Sequence, residues 1–183
     1  MAISERGYWT EHSEVDLHDC DILLCNAIIN LFEKGFTWVD LGCGNGEYTR
    51  RLIDAGFDCK GFDGSPLTPE ITKGLCSVLD LSVPVDIGTY DIVLCLEVGE
   101  HIPKQYEQIF LDNIYRCAKK YVILSWGVIG QGGIGHVNCQ DNNYVIEEMK
   151  KRRFTFDKER SQFLRDYSTF PWFRNTIMFF SHD

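Results

Sequence analysis

A chain of 183 residues with 44% apolar and 25% charged residues suits one buried core and lacks the bias of a disordered, fibrous or disulfide-stapled protein. Its formal net charge of −9 argues against broad, sequence-independent nucleic-acid binding, which needs a basic surface. No apolar run reaches the length of a membrane span, and Met1–Gly7 has neither the basic start nor the apolar run of a secretory signal, so neither membrane nor export is expected. Of the eight cysteines, Cys20, Cys25, Cys59, Cys76, Cys95 and Cys117 sit in apolar or amphipathic runs, as small core residues do. No Cys-x-x-Cys pair occurs, so reduced thiols in a cytoplasmic setting are expected.

The expected organisation is a single domain over residues 1–183. Residues 1–18, with Tyr8, Trp9, His12 and His18, show no period and read as a partly ordered arm. Residues 19–34 read as a leading amphipathic helix from Asp19 to Phe32, with apolar positions from Ile22 to Phe32, stopped by Lys34-Gly35. A strand is expected at Phe36–Leu41, then a glycine turn, then a helix from Glu47 to Ala55. Phe57–Asp63 reads as a second strand, a short helix ends near Lys73, and Leu75–Leu79 reads as a brief third strand. Tyr90–Leu96 is nearly continuous in apolar residues, the pattern of a central parallel strand covered on both faces. Pro103 opens a helix running to about Lys119, and Tyr121–Trp126 is a fifth strand. Five glycines in Gly127–Gly135 make a flexible loop. Asn143–Arg152 is helical, and Phe154–Phe156 with Thr176–Phe180 form a closing antiparallel hairpin. Alternating strands and helices make this an α/β, doubly wound sheet.

Charge is uneven along the chain. Arg6 is the lone base in residues 1–30, whereas residues 150–174 are rich in lysine and arginine. A solvated face is the plain reading of both; a basic lip for an anionic or glycan-linked substrate is the other.

The turn Gly42-Cys43-Gly44-Asn45-Gly46 follows the first strand and precedes a helix, a position where free backbone N–H groups meet a ligand. A phosphate-binding P-loop would need Lys and Ser/Thr after the last glycine, and Glu47-Tyr48 stands there instead. Glu47 would also sit beside the pyrophosphate of a dinucleotide, and Asp40 before the turn repels phosphate but suits a cation. S-adenosylmethionine (SAM) is cationic and phosphate-free. Asp63, ending the second strand, is placed to take ribose hydroxyls, and Asp80, ending the third, to accept from an adenine amino group.

On these residues the chain resembles the class I SAM-dependent methyltransferases. Val39–Gly46, Gly61–Ser65, Leu79–Leu81 and Tyr90–Glu97 are similar to that family's four motifs in order. The resemblance spans about residues 36–126. It implies a Rossmann-like seven-stranded sheet with its last strand antiparallel and helices on both faces. It also implies a donor site of Asp40, Gly42, Cys43, Gly44, Asn45, Gly46, Tyr48, Asp63, Gly64, Ser65, Asp80, Leu81 and Glu97, with S-adenosylhomocysteine (SAH) as product.

If residues 97–101 form a helical turn, Glu97, Glu100 and His101 share a face. Two carboxylates and an imidazole suit Mg²⁺ or Mn²⁺, or Fe²⁺. His136, after the fifth strand, is the candidate fourth ligand. Glu-x-x-Glu-His with a later histidine is similar to small-RNA 2′-O-methyltransferases of the HEN1 type; Glu-x-x-Glu-His alone is similar to ubiquinone-biosynthesis O-methyltransferases. Both resemblances imply a divalent ion on the acceptor's oxygens. Without metal, His101 or His136 is the catalytic base; either histidine is equally readable as structural.

Trp126 and Trp172 read as packing residues. The segment Ser125–Gln140 reads as a lid or as a surface connection. The arm reads as a cover for the donor or as a surface segment. Leu94–Pro103, Ser125–Gln140 and Pro171–Thr176 also resemble methyltransferase domains found beside or fused to glycosyltransferases, including in large DNA viruses. That resemblance implies a glycan sugar hydroxyl, such as one of rhamnose, as acceptor, with RNA ribose or a small phenol behind it. A SAM-binding partner subunit without activity is the reading from a different class. The expected partner is a small-molecule or glycan acceptor, not nucleic acid or a membrane.

Overall fold

The computed structural model describes residues 3–11 and 19–182. His12 and His18 lie outside the described residues.

Seven strands form one sheet: β1 (Thr37–Leu41), β2 (Asp58–Asp63), β3 (Ser77–Val78), β4 (Tyr90–Cys95), β5 (Ala118–Leu124), β6 (Phe154–Asp157) and β7 (Met178–His182), in the order β3-β2-β1-β4-β5-β7-β6. β1 pairs in parallel with β2 and β4, β2 with β3, and β4 with β5. β7 runs antiparallel to both neighbours, β5 and β6. The strand order reverses at β1/β4, so a crevice opens beyond the carboxyl ends of these strands.

Side chains alternate between the two faces, and each face builds its own core. Val39, Leu41, Val93, Cys95, Val122, Leu124, Met178 and Phe180 point to one face. There they meet α4 (Glu107–Cys117) through Phe110, Leu111 and Ile114, and α5 (Asn142–Lys151) through Val145 and Met149. Trp38, Ile92, Leu94, Ile123 and Phe179 point to the other face. They pack on Leu24 and Ile28 of α1 (Ile22–Asn30), Leu52 of α2 (Glu47–Asp54) and Leu164 of α6 (Lys158–Tyr167). Every cysteine is a free thiol, and six are buried.

Several boundaries differ from expectation. The leading helix starts at Ile22, where the Asp21 carboxylate caps the Leu24 amide at 3.1 Å. That same buried carboxylate accepts from Ser168 Oγ and from the amides of Thr169 and Phe170, tying the helix to a segment far along the chain. The third strand shrinks to Ser77–Val78. The expected closing hairpin is a correction. β6 and β7 are antiparallel neighbours, but α6 and the short α7 (Phe173–Thr176) separate them in sequence. Helix α6 is polar, burying only Ser161 and Leu164, so it has almost no apolar period to read. Its signal is the cap: Asp157 accepts from the Arg160 amide at 2.8 Å.

The basic stretch is largely an internally paired face. Lys150, Lys151, Arg152 and Arg160 pair with Glu147, Glu148, Asp112 and Asp157. None of these bases lines the crevice at the strand ends.

Candidate active site

A cavity of about 410 Å³ occupies that crevice. Its walls come from the glycine turn, the ends of β2, β3 and β4, the loops after β4 and β5, and the N-terminal segment.

On the donor side, Gly42 has φ +77, and a Cβ there would lie 2.2 Å from Val98 Cγ2. Only glycine fits this junction of two loops. Gly42, Cys43, Gly44, Asn45, Tyr48, Gly64 and Leu81 line the cavity with Asp40, Asp63, Asp80 and Glu97. Gly46 and Ser65 do not line it. Gly46 leads into α2, and the Ser65 amide donates to Asp63 Oδ1 at 2.9 Å. The Gly44 amide donates to Asp63 Oδ2 at 2.9 Å, so two backbone N–H groups aim this carboxylate.

Asp40 is buried and accepts from Thr49 Oγ1 at 2.7 Å. Burial pushes its carboxyl up to about 7, against the Thr49 hydrogen bond and with help from nearby Asp63. Tyr48 contributes its hydroxyl to the fold as well, accepting from the Asp21 amide at 3.1 Å. Burial opposes ionisation of Asp80, but the Ser82 hydroxyl and amide, then Arg6, outweigh it and hold its carboxyl below the usual range.

On the acceptor side, the expected helical turn over residues 97–101 does not form. Glu97 has φ +54, with its amide donating to Ser125 Oγ at 2.8 Å. The chain then makes tight turns, His101 N to Val98 O and Ile102 N to Gly99 O. A Cβ on Gly99 would lie 2.3 Å from the buried Trp126 ring, which fixes the turn close to the core. Glu97 is thereby directed to Gln131 Nε2 at 2.6 Å and Thr176 Oγ1 at 3.4 Å.

Three of the four expected metal ligands converge. One ligand atom from each of Glu100, His101 and His136 lies within 4.8 Å of the others, and Glu97 stands outside this group. The two imidazoles pack edge to face with centroids 4.9 Å apart. His136 Nδ1 lies 3.3 Å from the Gln131 carbonyl and 3.7 Å from Cys139 Sγ; with the proton on Nδ1, toward the carbonyl, Nε2 keeps its lone pair. Glu100 does not line the cavity. It is wholly buried, and neither oxygen makes a well-formed hydrogen bond, although Gly127 and Glu97 are near. Burial, then the Glu97 charge, pushes its carboxyl well above the usual range.

Trp126 is a buried packing residue, its Nε1 donating to the Asn138 carbonyl at 2.7 Å. Trp172 departs from expectation: it is 41% exposed and lines the cavity. Arg6, Gly7, Tyr8 and Trp9 line it too, so the described part of the arm covers the site. Gln131 and Arg6 were not legible as site residues, because each acts through a partner distant in sequence.

The family model for a methyltransferase domain matches residues 19–126, more than half of the chain. A ubiquinone biosynthesis O-methyltransferase of Ralstonia nicotianae is 27% identical over 144 residues, covering 63% of this chain and 60% of that protein. The chain thus spans about 60% of the length of that relative. One from Saccharophagus degradans is 26% identical over 188 residues, covering 87% of this chain and 70% of that protein. Among solved structures, magnesium protoporphyrin IX methyltransferase from Synechocystis with bound SAH superposes with a TM-score of 0.66 at 17% identity, over 93% of this chain and 82% of that one. The methyltransferase domain of bacterial CtHen1-C superposes with a TM-score of 0.59 at 17% identity, over 86% of this chain and 96% of that one. A glycine turn at the β1 end, aimed acidic residues at the ends of β2 and β3, a reversed last strand and the matching family model lead to one conclusion: the chain belongs to the methyltransferase domain family, on the class I SAM-dependent fold.

Proposed function

We propose that the protein is a SAM-dependent O-methyltransferase for a small hydroxylated acceptor. The observation that carries this reading is one continuous cavity lined by Gly42–Asn45, Asp63 and Asp80 at one end and by His101 and His136 at the other. A binding module without activity has no use for the second group.

SAM, when bound, supplies a methyl group on a sulfonium. Transfer is an in-line displacement, in which the oxygen–carbon bond forms as the carbon–sulfur bond breaks, and alignment supplies much of the rate. Asp63 holds the ribose hydroxyls and Asp80 the adenine amino group. Asp40 and Glu97 supply negative charge toward a cationic donor. In the absence of a metal ion, His136, with Nδ1 directed at the Gln131 carbonyl, would present Nε2 to take the acceptor's proton.

The buried, unpartnered carboxylate of Glu100 beside two imidazoles fits a divalent cation. Glu100, His101 and His136 would hold it. Such an ion polarises a hydroxyl and lowers its pKa. Glu97 would then serve the donor and the loop rather than the ion.

Names of relatives order the acceptors. The curated relatives are ubiquinone-biosynthesis O-methyltransferases, which favours a phenolic hydroxyl. A sugar hydroxyl, such as that of a glycan-borne rhamnose, comes second. Ribose of RNA comes third, given the acidic balance of the chain. The test is label transfer from radiomethyl SAM to catechol, a rhamnoside and a short RNA, with Mn²⁺ or with EDTA. The expected result is Mn²⁺-stimulated transfer to catechol. Transfer to RNA and to neither small ring overturns the acceptor reading. Full activity in EDTA overturns the metal.

A further inference from the structure

The N-terminal segment forms a small hairpin across the donor end of the cavity. Ile3 and Trp9 form an antiparallel bridge, Ser4 N donates to Tyr8 O at 2.9 Å, and Gly7 N donates to Ser4 O at 3.0 Å. It is seated at two glycines. Gly7 has φ +98, and a Cβ there would lie 2.0 Å from the His101 carbonyl oxygen. A Cβ on Gly64, at the end of β2, would lie 2.7 Å from Tyr8 Cβ. The hairpin thus spans from the β4 loop to the β2 loop.

Between these seats Arg6 reaches Asp80. Its Nη1 donates to Asp80 Oδ2 at 2.8 Å and lies 3.5 Å from Ser82 Oγ. The Ser82 amide and hydroxyl take Asp80 Oδ1 at 2.8 and 2.6 Å. The guanidinium carbon lies 5.9 Å from the centroid of the Tyr106 ring. The Asp80 carboxylate is therefore clamped from both oxygens, one held by its own turn and one by the hairpin.

We propose that Arg6 is a positioning residue for donor recognition: it fixes Asp80 as an oriented acceptor for the exocyclic amino group of adenine. The inference rests on the reading of SAM as donor. One bond from Arg6 leaves Oδ2 a second lone pair for the base. A charged acceptor favours a 6-amino purine and repels a 6-oxo purine, whose oxygen would face it without a donor between them. Losing the arginine leaves the carboxylate held through Oδ1 alone, by Ser82, and the looser Oδ2 weakens that discrimination, while the rest of the pocket stays.

The test is calorimetric binding of SAH and of S-inosylhomocysteine, its 6-oxo analogue, to wild type, Arg6→Ala and Arg6→Lys. Wild type is expected to prefer SAH by about ten- to hundredfold. Arg6→Ala is expected to cut that preference about fivefold or more, mainly by weakening SAH, with Arg6→Lys in between. If Arg6→Ala fails to fold, the ratio is read from Arg6→Lys and Arg6→Gln. Tighter SAH binding by Arg6→Ala overturns the proposal, because Arg6 would then be competing for Asp80. Equal weakening of both ligands also overturns it, leaving Arg6 as a wall. Wild type binding neither ligand overturns the donor reading, and this inference with it; wild type binding SAH with an unchanged ratio in the variants overturns this inference alone.

Discussion

The two ends of the cavity are built differently. The donor end is built mainly from backbone: a glycine turn, and a carboxylate aimed by amides, as Asp63 is by Gly44 and Ser65, with Arg6 added on Asp80. The acceptor end uses side chains delivered by the β5 loop and α7: Gln131 and Thr176 on Glu97, and His136 beside His101. The first kind of site depends on backbone path and tolerates changes on its surface. The second depends on a glycine-rich loop staying pinned, so single side chains there carry orientation as well as chemistry.

If the two ends are separable, variants should sort cleanly. The largest effect is expected at the acceptor end. His136→Ala should lower methyl transfer to catechol by about 10²–10⁴-fold, through loss of a metal ligand or, without the ion, of a positioned base. Its SAH affinity should stay within about twofold. Comparable loss in both measurements would join the two ends into one unit.

Asp63→Ala probes the other end. Losing a charged acceptor for two ribose hydroxyls should weaken SAH binding by about a hundredfold in calorimetry. Mn²⁺ binding, followed by electron paramagnetic resonance, should not change. A shift in the Mn²⁺ affinity would break the separation.

pH sharpens the comparison further. The Asp40 carboxyl is raised to about 7 by burial, and a cationic donor favours its ionised form. SAM affinity should therefore fall as pH drops below 7, by at most about tenfold per unit, and be flat above it. For the ligand-free protein the sign is opposite. The folded value lies above the ordinary 3.8, so this group's contribution to stability declines as pH rises from about 4 to about 7. Calorimetry in buffers of different ionisation enthalpy checks proton release on binding. SAM affinity that is level between pH 5.5 and 8 removes Asp40 from donor recognition.

The smallest effect is in stability at the acceptor end. Glu100 is held uncomfortably as a buried carboxyl with a raised pKa, so Glu100→Gln should melt higher than wild type in EDTA above pH 7. A relief of about 1 kcal/mol corresponds to about 2–4 °C in a chain of this size. Mn²⁺ should raise the melting temperature of wild type but not of the variant. A variant less stable than wild type in EDTA would mean that the carboxylate has partners of its own.

Much of the donor end was legible because its signals are local. Glycine at 42, 44 and 46 follows the end of β1, and aspartate at 40, 63 and 80 lies at or near the ends of β1, β2 and β3, and strand ends follow from apolar runs. The acceptor end was legible only as a set of residue types. The helical spacing of Glu97, Glu100 and His101 suggested one shared face. A positive φ at Glu97 and the tight turns after it separated Glu97 from the other two. Nothing in the local sequence announces that conformation, since it is imposed by Ser125 and by the Trp126 ring against Gly99. Helix α6 was missed for a related reason: a helix that buries one apolar side chain carries almost no periodic signal.

By itself, the sequence determined the α/β alternation, the order of the donor motifs and the chemical character of both ends. Those depend on backbone preference and on residue type, which act over a few positions. Only the tertiary structure decided which carboxylate joins the two histidines, that Trp172 opens onto the cavity, and that Arg6 meets Asp80. Each of these is a contact between segments far apart in the chain, set by how loops close over the sheet rather than by the residues that flank them.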